Sequence, residues 1–287
     1  MKILLIGANG QLGYDLQKSL KYHTLIPLTH KDIEVTDFNN IKENILKYKP
    51  EMIINTSAFH KVDLCEDEIE QSFKVNTYGV KHLCRLCDEN NCTLVHFSTD
   101  YVFDGRKNKP YTENDLPSPL SVYGISKLAG EYFVLNFCKK SYLIRTTGLY
   151  GVAGCNGKGG NFVQLMLKMA SEGKDIKVVN DQILTPTSTK ELAEQINQLI
   201  ETKCYGLYHI TNNGECSWYE FAKAIFEIKG LNVNLEPVTT KQFFVGAGFT
   251  PARRPGYSVL ENYNLKKINI DNMSHWRIAL KNYLMFI

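Results

Sequence analysis

Apolar and polar positions along the chain alternate between two periods. Lys2-Ile-Leu-Leu-Ile6 is a short apolar run that stops at Gly7, as a parallel strand buried on both faces does. Leu12, Leu16 and Leu20 then recur at helical spacing and predict a helix over 11–21. Leu25-Ile-Pro-Leu28 reads as a second strand, 39–48 as a helix stopped by Pro50, and Met52-Ile-Ile54 as a third strand. One long amphipathic stretch over 66–90 leads to a fourth strand, Thr93-Leu-Val-His-Phe97. A helix over 121–137 precedes a fifth strand, Tyr142-Leu-Ile144. Strands and helices alternating in this way require right-handed crossovers and predict an α/β fold with a doubly wound parallel sheet.

Past Thr146 the alternation weakens. Helical patterns return over 162–170, 190–200 and 218–228, with a strand-like piece at 207–210 between them. The chain is therefore expected to divide at about 147. Residues 1–147 would form the first domain, and 148–287 a smaller C-terminal α/β lobe whose chain crosses back to it. Six glycines fall between Gly148 and Gly160, too many for a regular element, and predict a mobile loop.

Composition narrows the function. Hydrophobic residues make up 44% of the 287, charged residues 22%, and the net charge is +3, so disorder is excluded. A balance that even gives no case for nucleic-acid or membrane partners. The longest apolar runs are too short to span a bilayer, and the N-terminal run lacks the length of a signal peptide, so a cytoplasmic protein is expected. Cys84 and Cys87 form a C-x-x-C, with Cys92 at an irregular distance; they are read as small buried thiols rather than a metal or redox site. The seven histidines show no ligand spacing, and no metal is expected.

Candidate chemistry begins where the first strand meets the first helix. Gly7-Ala-Asn-Gly-Gln-Leu-Gly13 places glycines at Gly7, Gly10 and Gly13. Such a turn lets a pyrophosphate approach the backbone and the helix N-terminus, which makes the sheet Rossmann-like and residues 1–147 a dinucleotide-binding domain. The second strand ends in Thr29-His-Lys31, with Asp32 only afterwards. Lys31 can neutralise a 2′-phosphate, which favours NADPH, with NADH as an alternative donor. Asp37 and Phe38 stand where an adenine ring would be bracketed.

Reducing a carbonyl by hydride needs a proton donor at the oxygen. A tyrosine serves if an adjacent ammonium favours its phenolate, and Tyr-x-x-x-Lys puts both groups on one helical face. Four such pairs occur, Tyr14/Lys18, Tyr123/Lys127, Tyr219/Lys223 and Tyr263/Lys267, so position must choose between them. Only Tyr123/Lys127 opens a helix shortly after a strand that runs into Ser98-Thr-Asp100. That is the carboxyl edge where doubly wound folds hold ligands. Thr99, or failing it Ser98, would hydrogen-bond the same carbonyl oxygen.

These blocks together resemble the extended short-chain dehydrogenase/reductases, and among them the dTDP-4-dehydrorhamnose reductase family. The similarity runs almost end to end. It takes in Gly7 to Gly13, Asn55-Thr-Ser-Ala-Phe-His-Lys-Val-Asp63, Phe97-Ser-Thr-Asp-Tyr-Val-Phe-Asp104 and Tyr123-Gly-Ile-Ser-Lys127. It continues through Gly160-Asn-Phe162, Thr185-Pro-Thr187, Ser217-Trp-Tyr-Glu-Phe-Ala222 and Ala252-Arg-Arg-Pro255. The resemblance implies Tyr123 as proton donor, Lys127 as its electrostatic partner and Thr99 as second donor. It puts Gly10, Gln11, Leu12, Asp37, Phe38, Ala58, Phe59 and His60 along the dinucleotide. Asp100 would touch the sugar, and Arg254 and Asn161 would face the diphosphate. The substrate implied is a nucleotide-diphosphate sugar, reduced at C4 of a 4-keto-6-deoxyhexose. Extended reductases often dimerise, so a homodimer is entertained although no patch in the sequence identifies an interface.

The chain departs from the pattern in one region. Many members read Arg-Thr-Ser-Trp where it has Arg145-Thr-Thr-Gly148, and Leu184 stands where glycine is usual. The glycine-rich loop is expected to close over the sugar in the ring's place. Two other readings compete: a neighbouring nucleotide-sugar reductase or epimerase, and a non-catalytic NADP-binding regulatory subunit. Retention of Thr99, Tyr123 and Lys127 speaks against the second.

Overall fold

A computed structural model describes residues 1–153 and 160–287. The loop expected to close over a sugar falls largely at 154–159, outside the described residues. Five strands open the chain: β1 (Lys2–Ile6), β2 (Thr24–Leu28), β3 (Met52–Asn55), β4 (Thr93–Thr99) and β5 (Ser141–Thr146). Between them lie α1 (Gln11–Ser19), α2 (Phe38–Tyr48), α3 (Val62–Asp67), α4 (Ile69–Phe73), α5 (Val80–Glu89) and α6 (Val122–Phe137). The second half continues through β6 (Leu149–Tyr150), α7 (Phe162–Ser171), β7 (Ile176–Val179), β8 (Ile183–Leu184) and β9 (Thr187–Ser188). Next come α8 (Thr189–Thr202), β10 (Gly206–His209), β11 (Cys216–Ser217), α9 (Trp218–Lys229) and β12 (Leu235–Val238). Three helices follow, α10 (Thr240–Phe243), α11 (Tyr263–Lys267) and α12 (Trp276–Leu284).

The main sheet runs β10-β5-β4-β3-β1-β2, with every pair parallel. Its inner strands β1, β3, β4 and β5 are buried on both faces, whereas the edge strands β2 and β10 are only partly covered. Ile3 and Leu5 of β1 pack with Leu12 and Leu16 of α1 and with Leu192 and Ile196 of α8. Leu4 and Ile6 point the other way, to Ile41 of α2, Leu83 of α5 and Val134 of α6. The chain winds from β1 to β2 on one side, then returns to β3 on the other. The two loops leaving the carboxyl ends of β1 and β3 therefore diverge, and the crevice between them is where such a sheet takes a ligand.

The stretch over 66–90, read as one amphipathic element, is interrupted. α3 and α4 are followed by a π-type turn over Lys74–Gly79 before α5 begins. The turn rotates Asn76 into the interior, where it bonds two other segments of the chain. Hydrophobic spacing carries no sign of such an insertion. The later part of the chain builds a second core around Tyr150, Val163, Ile176, Phe221 and Trp276, with β7 paired to β12 and β8 to β11. α8 and β10 belong instead to the main sheet and its flanking layer. Among the described residues no helix is long and apolar enough to cross a membrane.

Candidate active site

The turn after β1 is built for close approach. Gly7 has φ +81°, and a Cβ there would stand 2.4 Å from Thr56 Oγ1 in the loop after β3. The Gly10 N–H donates to the Gly7 carbonyl at 2.9 Å, and Gly10 caps α1 without a side chain or an acidic residue in the first turn. Leu12 and Gly13 sit in that first turn, buried, and the Gln11 Oε1 is buried without a partner. A bare helix N-terminus and a cradle that a Cβ would fill fit the pyrophosphate of a dinucleotide.

Across the crevice, Ala58, Phe59 and His60 form the loop after β3, all half-buried. Asn76 fixes this loop: its Oδ1 accepts from the Phe59 N–H at 2.9 Å, and its Nδ2 donates to the Phe59 carbonyl and to Ser126 Oγ, each at 3.0 Å. Just after β2, the exposed Asp32 folds back on its own turn and accepts from the Thr29 N–H and hydroxyl at 2.8 and 2.7 Å. Lys31 is left exposed at that edge. Asp37 is occupied as the cap of α2, and Phe38 packs edge-on to His82 with Arg85 over its ring. Asp37 is thus a helix cap, and Phe38 is held by α5.

The hydroxyls expected to meet a carbonyl do converge. Tyr123 lies in the first turn of α6, which Ser121 caps by accepting from the Gly124 N–H. Thr99, at the end of β4, hydrogen-bonds Tyr123 and lies 3.1 Å from Asp100 Oδ1. Ser98 Oγ is buried beneath without a partner. Lys127 is buried one turn along α6 and donates to the Phe97 carbonyl at 2.6 Å. Burial pulls its ammonium down to about 8, against the opposing charge of Glu131. His96 stands 3.5 Å from it and is held neutral by burial and by the lysine charge.

The expected lowering of the phenol is not met. Burial pushes Tyr123 above the usual tyrosine value, only partly offset by the Thr99 hydrogen bond. The ammonium is aimed at the Phe97 carbonyl, so desolvation dominates at the ring. Asp100 is pushed up to about 6 by burial, although Ser258, Thr147 and Thr99 all hydrogen-bond it.

Of the residues expected at the diphosphate, Arg254 and Asn161 differ. Arg254 donates from Nη2 to both carboxylate oxygens of Asp63, at 2.9 and 2.8 Å, and from Nη1 to the Ala252 carbonyl at 2.9 Å; it also hydrogen-bonds the Tyr101 hydroxyl and lies over the Phe244 ring. Tyr101 in turn stacks edge-on with Tyr123, ring centroids 5.8 Å apart, so the arginine is two side chains from the phenol. Asn161 is not free to meet a ligand. It caps α7 by accepting from Gln164, and its amide donates to the Gly151 carbonyl and Tyr283 hydroxyl.

The two departures near Gly148 are one steric event. Gly148 has φ +57°, and a Cβ there would lie 2.9 Å from Leu184 Cδ1. The buried Leu184 fills the space that a side chain at 148 would need. Sequence spacing also gave no role to Asn76, Tyr101, Thr147 or Ser258. Asp63 stood inside a quoted block, and that was the one available sign of it.

The family model described as RmlD substrate binding domain matches residues 1–286. The chain belongs to that family. It is 39% identical over 285 residues to the spore coat polysaccharide biosynthesis protein SpsK of Bacillus subtilis, covering 99% of this chain and 96% of that one. It superposes with a TM-score of 0.93 on a dTDP-4-dehydrorhamnose reductase from Clostridium acetobutylicum, at 41% identity over 100% of this chain and 99% of the other. The Bacillus anthracis dTDP-4-dehydrorhamnose reductase, solved in complex with NADP, gives the same TM-score at 36% identity, with coverage again 100% and 99%. Similarity to this family thus spans both the crevice and the second core.

Proposed function

We propose that this chain is an NADPH-dependent reductase of the 4-keto group of a nucleotide-activated 6-deoxyhexose, converting dTDP-4-dehydrorhamnose to dTDP-L-rhamnose. The observation that carries it is the meeting of Thr99 and Tyr123 at the carboxyl edge of β4, with Lys127 buried one turn below. Full-length similarity to reductases of that name, one of them with NADP, supports both substrate and cofactor. Gly7, Gly10, Gln11, Leu12 and Gly13 bind the pyrophosphate, Lys31 the 2′-phosphate, and Ala58, Phe59 and His60 line the nicotinamide side. When bound, the dinucleotide supplies a hydride to the sugar C4.

The protein's part is to hold the ketone and move a proton. Thr99 and Tyr123 hydrogen-bond O4, and Tyr123 gives up its phenolic proton as charge develops there. Lys127 steadies the resulting phenolate from below. Asp100 orients Thr99 and accepts from the sugar, and Arg254 meets the diphosphate with its planar fork. Residues 1–147, with α8 and β10, serve as the dinucleotide lobe, and the second core serves the sugar nucleotide. The cytoplasm is the compartment that suits reduced dinucleotides and free thiols.

The test is NADPH consumption with dTDP-4-dehydro-6-deoxyhexoses, followed by identification of the sugar formed. Tyr123→Phe is expected to lose activity by orders of magnitude while still binding NADPH. A product formed without net oxidation of NADPH would mark an epimerase and overturn the proposal.

A further inference from the structure

Behind Lys127 a line of buried polar side chains runs back through His96 of β4 and Asn55 of β3 to Ser57, in the loop after β3. Lys127 and Asn55 are each 2% exposed and His96 1%, so no bulk water stands in for a missing partner. Each hydrogen along this line has to be placed between protein atoms.

The contacts leave one arrangement. Asn55 Oδ1 accepts from the Ser57 N–H at 3.1 Å and from the Ser57 hydroxyl at 2.5 Å. Turning the amide over would set its N–H against the Ser57 N–H, so Asn55 Nδ2 is the atom that faces His96 Nδ1, at 3.2 Å. Turning the imidazole over would put ring carbons against both Asn55 and Lys127. Nδ1 is therefore an acceptor, and in a neutral ring the hydrogen sits on Nε2. Burial and the lysine charge both keep the ring neutral. The Nε2–H is thus turned to Lys127 Nζ, 3.5 Å away. That gap is long beside the 2.6 Å bond from the same ammonium to the Phe97 carbonyl, as two facing donors require.

We propose that His96 is a positioning residue for proton transfer: it holds its Nε2–H against Lys127 and stabilises that lysine as a neutral amine. An ammonium at this place finds a donor where it needs an acceptor, whereas the lone pair of the free amine accepts from the Nε2–H. The other titratable and charged groups around Lys127 are Tyr123 and Glu131 on α6 and Arg145 on β5, with Asp100 and Cys65 nearer the phenol. Glu131 favours the ammonium, but both its oxygens are bonded by Arg145, at 2.9 and 2.6 Å. The lysine therefore changes charge near the pH at which the enzyme works, as its value of about 8 accords with. The inference rests on the role given above to Lys127 beneath Tyr123. It adds that the hydrogen on His96 is dictated by Asn55 and Ser57, next to the loop assigned to the nicotinamide.

The test is nitrogen NMR of the whole protein labelled at its histidine rings, followed across the pH range in which Lys127 titrates. His96 is expected to stay neutral, with its hydrogen on Nε2 and a bare Nδ1, and its Nε2 resonance should move with the lysine. In Lys127→Met that movement should vanish. A hydrogen on Nδ1, a charged ring, or an Nε2 signal that ignores the titration would overturn the proposal. This readout needs no turnover, so it decides even if the protein reduces a different substrate. The second arm is the pH profile of His96→Gln, whose side-chain oxygen can accept from both Asn55 and Lys127. The alkaline limb of kcat/KM should move up by about one pH unit, the size of one hydrogen bond. A limb that stays in place or moves down would make His96 a packing residue. If the variant fails to fold, the NMR of the unaltered protein decides alone.

Discussion

Asp100 shows how one buried side chain can carry both chemistry and a pH dependence. Its carboxyl, raised from 3.8 to about 6, is protonated in folded and unfolded chains alike at low pH. As pH rises from about 4 to 6 the unfolded chain ionises first, so the native state loses up to roughly 3 kcal/mol relative to a protein lacking this group. Stability present below the unfolded value is thus lost through the folded one. Asp100→Asn should accordingly gain stability over the parent across that window, read as diverging urea midpoints. Midpoints that move in parallel would locate the pH dependence elsewhere. Lys127 sets the opposite limit for catalysis. With its ammonium at about 8, kcat/KM should decline above that pH as the charge beneath Tyr123 is lost.

At the level of elements, α6 and the interrupted segment before it act together. α6 supplies Tyr123 and Lys127, but what aligns its start with the loop after β3 is Asn76 in the π-type turn, bonded to Phe59 on one side and Ser126 on the other. Removing a buried amide that serves three partners takes a bond from one donor, the Phe59 N–H, and from two acceptors, the Phe59 carbonyl and Ser126 Oγ, at roughly 1–3 kcal/mol. Asn76→Ala should therefore lower the urea midpoint by that amount and weaken NADPH binding, because Phe59 and His60 lose their anchor. Unchanged affinity in a destabilised variant would make Asn76 a packing residue only. The helices and strands of the first half were legible in the sequence, since each is a run of apolar residues at one of two periods. The break before α5 was not, because a single inserted residue alters which way a side chain points without altering composition.

Across the whole molecule, the pair Asp63–Arg254 ties the loop before α11 to the start of α3. The arginine is thereby held beside Tyr101 and Phe244 rather than left to sample its many rotamers. Pre-organisation of that kind lowers the cost of binding a charged ligand. Asp63→Asn should raise KM for the nucleotide sugar with kcat and NADPH affinity unchanged; a fall in kcat alone would point instead to Tyr123 through Tyr101. The sequence by itself determined the doubly wound sheet, the glycine turn and the Tyr123/Lys127 pair, because periodicity, backbone conformation and helical spacing are local properties. Only the tertiary structure decided that Asn161 is a cap and that Leu184 fills the space beside Gly148. Those depend on which distant segments are brought within a few ångströms, and pairwise contact leaves no mark on either partner's local pattern.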